Sequence, residues 1–166
     1  MNAQIMKNIQ QKMLIPKNFD DSNIPDKIHV LTLKEPWVYH ILNSGKDVEN
    51  RSWKLWNGFT GVAIALHSGK TIDKVLPKYQ VNREKLTLGK IQAFVIFNGL
   101  NPNSEWAIQG LFNWKIIETW QIPDPIPAIG KQGLWTIPRS IGLSDLWNDR
   151  GRTLKRVYQD GDNQKD

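Results

Sequence analysis

Apolar and polar positions follow two rhythms along this chain, and the rhythms predict its elements. Ile28 to Leu33 is a short run of apolar and β-branched residues and reads as a strand. Helical spacing comes next. Pro36 fits a first turn, Trp37, Ile41 and Ser44 share one side with Val38 and Leu42 beside them, and Gly45 is a stop signal. Lys46 to Trp53 reads as a second strand, with Glu49, Arg51 and Trp53 on one face and Val48 on the other. Asn57-Gly58 marks a turn. Gly61 to Leu66 is apolar without alternation, the pattern of a buried strand. His67-Ser68-Gly69-Lys70 is then expected to turn into a helix over about 72–79, weakened at Pro77. Ile91–Phe97, Trp114–Trp120 and Gly133–Ile137 read as later strands, with Asn98–Ser104 a loop. Ile122–Pro127 reads as an extended connector, because each proline biases the residue before it away from helix.

The flanks lack this order. Ile5-Met6, Ile9 and Met13-Leu14 fit one short amphipathic helix ended by Pro16, and Asn18 to Pro25 reads as linker. After Pro138 the chain turns polar, with a short helix from Leu143 to Trp147 and a frayed end from Asp160. The expected organisation is an arm and linker over 1–27, one domain over 28–138 and a polar extension over 139–166. About six strands, two to three helices and prolines between the late strands predict a small α+β barrel.

Composition narrows the partners. The 166 residues fit one domain with a sizeable core. The net charge is +6, and four of those charges fall in 28–138, so the expected partners are anionic, nucleic acid first among them. Eight tryptophans offer rings for burial or for stacking on bases. The sequence has no cysteine, which removes disulfides, thiolate ligands and thiol nucleophiles and is compatible with a reducing cytosol. No apolar run approaches the ~18 residues of a membrane span, and no signal-peptide h-region opens the chain, so a cytoplasmic protein away from membranes is expected.

Several chemistries drop out. Ser68-Gly69-Lys70-Thr71 imitates a phosphate loop, but Ile64 occupies the place of the required first glycine. His29, His40 and His67 have no metal-ligand spacing. Gly-x-Ser-x-Gly elbows and Gly-rich dinucleotide fingerprints are absent, so no metal or cofactor is expected.

What remains is a set of motifs in order: Leu31-Thr-Leu-Lys-Glu-Pro-Trp37, Gly45-Lys46-x-x-Glu49-x-Arg51-x-Trp53, Gly61-x-x-x-Ile64-x-x-His67-Ser68, and Gly133-Leu134-Trp135. Together, over about residues 28–138, they resemble the ASCH domain, a branch of the PUA-like superfamily. The resemblance implies a PUA-like β-barrel with flanking helices and a basic cleft lined by the motif residues. It also implies RNA binding or action on nucleotides. One bacterial branch deacylates acetylated cytidine with a lysine, a threonine and a glutamate. Lys46 matches that lysine, while Glu49 stands where the threonine would be.

Each candidate has a chemical reason. Lys46 can hold a phosphate or act as a base. Glu49 can be a base, a base-edge acceptor or the partner of Arg51, whose planar fork suits phosphate. Trp37 and Trp53 can stack a base or pack in the core. His67 and Ser68 end a buried strand at the expected cleft, where His67 can shuttle a proton, and Lys70 can add a phosphate contact. Trp56 is expected at the surface, and Trp114, Trp120 and Trp135 in the core. The leading expectation is a domain that binds RNA, single-stranded nucleic acid or a nucleoside or nucleotide around Lys46, Glu49 and Arg51. The alternatives are a hydrolase in the same cleft (amidohydrolase or ribonuclease, with Lys46 and Glu49 catalytic) and a protein-interaction adaptor using surface tryptophans and the N-terminal arm.

Overall fold

A computed structural model of the chain describes residues 27–138 and 155–156. The elements expected before residue 27 and after 138, including the arm helix and the helix at Leu143–Trp147, lie outside the described residues. The remainder is an α+β fold built on one mixed sheet. Its strands are β1 (Lys27–Glu35), β2 (Val48–Arg51), β3 (Ala63–Ile72), β4 (Lys90–Leu100), β5 (Phe112–Pro127), β6 (Leu134–Pro138) and the two-residue β7 (Lys155–Arg156). The spatial order is β2-β5-β4-β3-β1-β6, with β7 also on β5. β1 and β3 run parallel, with Val30 opposite Ala65, and the other pairs are antiparallel. Parallel neighbours need a crossover, and α1 (Trp37–Asn43) and β2 lie within it. Among the described residues β2 and β6 do not pair, so the sheet is not closed.

The two-residue period of the strands sorts their side chains onto two faces. Val30, Ala65, Phe94 and Ile137 join one core cluster. Leu31, Leu66, Ala93 and Val95 join the other, which α1 covers with Val38, Ile41 and Leu42. β3 and β4 are central strands buried on both faces, so their sequences read as unbroken apolar runs. Trp114 and Trp135 are buried and Trp120 packs half-buried against the core, while Trp56 is 76% exposed.

Three expectations need correction. β3 continues through His67-Ser68-Gly69-Lys70 to Ile72, because Ser68 pairs with Lys90 on one side and Ile72 with Glu35 on the other. The helix expected over 72–79 is therefore only a 3-10 turn at Pro77–Tyr79. Pro77 lacks a donor and keeps Leu76 extended at φ −57°, ψ 151°. The connector over 122–127 is the second half of β5, with Ile126 opposite Ile91. Prolines at alternate positions leave their missing N–H groups on one edge of that strand. The described residues contain α1 and three 3-10 turns, at Asn57–Phe59, Pro77–Tyr79 and Arg83–Lys85.

α1 has no side-chain cap from the residue at its N-cap. Glu35, fully buried, supplies the missing acceptor: its Oε2 takes the Tyr39 N–H at 3.0 Å. Its Oε1 accepts from Ser68 Oγ at 2.7 Å and Gln92 Nε2 at 2.9 Å. One carboxylate thus ties the helix start to β1, β3 and β4 and sets where Trp37 enters the site.

Candidate functional site

A cavity of about 820 Å³ opens beside α1 and β2. Its walls come from the end of β1 (Thr32, Lys34), the start of α1 (Trp37) and β2 with its approach (Lys46, Glu49, Asn50, Arg51). The far half of β3 (His67, Lys70), Asp73, Tyr79 and two loops around Trp106 and Gly130 complete it.

The motif residues meet here as an ion triad. Gly45 takes φ +71°, which ends α1 and turns the chain toward β2. Lys46 is not the flexible corner cation that its position beside the glycine implies. It is 2% exposed, and its Nζ donates to the Val48 carbonyl and to Glu49 Oε2 at 3.2 Å. Glu49 is also buried, and its Oε1 accepts from Arg51 Nε at 3.0 Å. Arg51 anchors its other side through Nη2 to the Thr32 carbonyl at 3.0 Å. Two cations share one carboxylate, so the triad carries a net positive charge in a largely dry place, where an added anion is favoured. The cavity as a whole is lined by five cations (Lys34, Lys46, Arg51, Lys70, Lys131) against Glu49, Asp73 and Glu105.

Aromatic rings adjoin the triad. Lys46 Nζ lies 5.8 Å from the Trp37 ring centre, and Trp37 Nε1 donates to Asp73 Oδ2 at 3.0 Å. Trp37 meets Tyr79 edge to face at 5.7 Å, and Tyr79 lies 5.3 Å from Trp106. His40 sits behind them. Its Nε2 faces the Tyr79 carbonyl at 2.8 Å, and since a carbonyl only accepts, that nitrogen carries the hydrogen.

His67 closes the opposite wall. It is almost fully buried, and its Nε2 donates to the Ala128 carbonyl at 2.8 Å. Its Nδ1 lies 3.2 Å from Thr32 Oγ1, which also accepts from Trp135 Nε1 at 2.9 Å. Desolvation by burial lowers the His67 pKa below its ordinary 6.5, partly offset by the backbone of Ala128 and Gly89. This is a hydrogen-bonded neutral imidazole holding a loop.

Of the eight candidate residues, the fold brings Trp37, Lys46, Glu49, Arg51, His67 and Lys70 to one cavity. Trp53 and Ser68 are not in its lining. Trp53 meets Trp114 edge to face at 4.6 Å, and Ser68 lies beneath the floor on Glu35. β2 ends at Arg51, so the strand face expected to carry Trp53 beside Arg51 does not reach it. Sequence reasoning missed Tyr79, Trp106, Asp73 and Glu105. Their one signal was an aromatic or acidic residue in a polar stretch, with nothing to say which wall each would reach. Among the described residues no group of His, Cys, Asp and Glu could hold a metal ion, and no helix is long and apolar enough to cross a membrane. No protein-family model and no curated protein matches this sequence.

Proposed function

We propose that this is an ASCH-like domain of PUA-type architecture that binds a nucleotide, free or within single-stranded RNA, in the cavity around Lys46, Glu49 and Arg51. One observation carries the reading: a net-positive, largely buried triad and a contiguous set of Trp and Tyr rings line the same 820 Å³ cavity. A phosphate suits Arg51, two of whose donors are already held by Glu49 and the Thr32 carbonyl, so little freedom is lost on binding. A base suits the rings, each stack contributing about 1–3 kcal/mol. The open mixed sheet is consistent with a barrel-like fold of the PUA type.

Hydrolysis in the same cleft has less support. Lys46 Nζ is committed to Glu49 and the Val48 carbonyl, which suits a fixed cation better than a free base. Calorimetric titration with nucleoside monophosphates and short RNA tests the binding reading. Arg51→Ala is expected to weaken binding by about 2–5 kcal/mol. Absence of binding to the wild-type protein by either ligand class would end it.

A further inference from the structure

Two residues of the segment around Lys46, Asp47 and Asn50, bond to the loop between β4 and β5. Asn50 Nδ2 donates to the Trp106 carbonyl at 2.9 Å. Its Oδ1 accepts from the Ile108 N–H at 3.1 Å and from Asn113 Nδ2 at 2.7 Å. Asp47 Oδ1 accepts from Ser104 Oγ, and the same hydroxyl accepts the Trp106 N–H at 3.1 Å. Both backbone polar groups of Trp106 are therefore tied, directly or through Ser104, to the strand segment that bears Lys46, Glu49 and Arg51. The indole itself has no polar anchor, since its Nε1 is buried and without a hydrogen-bond partner. Its position is set by the backbone clamp and by contact with His40 at 5.2 Å and Tyr79 at 5.3 Å.

We infer that Trp106, with Tyr79 and Trp37, forms a subsite for one flat heterocyclic base, and that Asp47 and Asn50 are positioning residues that hold Trp106 in it. The inference rests on the nucleotide reading above and adds where the base goes. The Trp37 N–H is spent on Asp73 and the Trp106 N–H is buried, so the two indoles offer faces and apolar edges rather than base-reading donors. Stacking of this kind tolerates every base. The subsite adjoins the cation end, because Lys46 Nζ lies 5.8 Å from the Trp37 ring centre and 3.2 Å from Glu49 Oε2. One nucleotide then spans both, with its phosphate on Arg51 and its base on Trp106.

The test compares the four nucleoside 5′-monophosphates with ribose 5-phosphate, which keeps the anion and lacks the base. In the wild-type protein the nucleotides are expected to bind about tenfold or more tighter than ribose 5-phosphate, with little difference among bases. Trp106→Ala and Asn50→Ala should erase most of that advantage, lowering nucleotide affinity far more than ribose 5-phosphate affinity. Asp47→Ala should do the same and Asp47→Asn, which keeps the acceptor for Ser104, should restore it. Arg51→Ala should weaken both ligand types. Circular dichroism checks that each variant is folded, and the Asp47 pair carries the test if Asn50→Ala is not. An unchanged ratio in Trp106→Ala overturns the base subsite while the anion site stands. A ratio that falls in Trp106→Ala but not in Asn50→Ala or Asp47→Ala overturns the clamp. Binding of neither ligand by the wild-type protein removes the nucleotide reading and the subsite with it.

Discussion

At the scale of single residues, the motif is more structural than its spacing implies. Lys46 lies inside, so Lys46→Ala is not a silent probe of function. It leaves the Val48 carbonyl uncovered and, among the described residues, Glu49 with Arg51 as its remaining ion-pair partner. We expect a loss of about 3 kcal/mol, the lower end for breaking a buried pair because Arg51 remains, measured by urea denaturation. A variant as stable as wild type would show that the lysine is not anchored as described. His67 supplies a pH test. Its folded pKa is lowered, so as pH falls below 6.5 the unfolded chain takes up the proton first. Its contribution is therefore present above that pH and is lost as pH drops through the folded value. Between pH about 7.5 and about 5.5, His67→Gln should lose less stability than wild type does, with denaturation curves at both pH values as the check.

At the scale of elements, the cavity wall depends on how closely loops approach β1 and β3. A Cβ on Gly130 would stand 2.8 Å from His67 Cε1 and 2.9 Å from both His67 Nδ1 and Thr32 Oγ1. Those atoms are held by hydrogen bonds to Ala128 and Trp135 and cannot simply swing away. Gly130→Ala is expected to cost about 1–3 kcal/mol and to shift the loop carrying Ile129 and Lys131, read out by thermal melting and by chemical shifts of that loop. A variant with wild-type melting would show that the loop gives way freely. The helix start depends on Glu35. Glu35→Gln puts an amide nitrogen where one of two accepting oxygens stood, facing Ser68 and Gln92 or the Tyr39 N–H. The expected loss is about 1–3 kcal/mol in chemical denaturation, and an unchanged midpoint would mean that the network rearranges without cost.

At the scale of the whole molecule, the +6 net charge and the confined cavity make different demands on salt. A cavity of 820 Å³ has room for one or two nucleotides, so few phosphates are neutralised inside it. Binding of a short single-stranded RNA should fall with salt at a log–log slope of about −0.7 per contacted phosphate, or about −0.7 to −1.4 in all. A much steeper slope, from titrations at several salt concentrations, would place the contacts along an extended basic surface instead of in this cavity.

Elements whose character is local were legible from the chain itself. Ile28–Leu33, the Trp37 helix with its Gly45 stop and the buried run that ends at Leu66 all declared themselves through period or composition. So did the cluster of Lys46, Glu49 and Arg51, since residues that close in sequence can hardly avoid one another. The tertiary structure decided what depends on partners far along the chain. Residues 67–72 became strand because β1 and β4 offered hydrogen bonds on both sides. Glu35 went inside because Ser68 and Gln92 could satisfy it there. Tyr79, Trp106 and Asp73 reached the cavity through contacts spanning some 30 to 60 residues, Trp37 to Asp73 and Asn50 to Trp106 among them. No spacing rule records such contacts, because their free energy arises only when the sheet has brought the segments together.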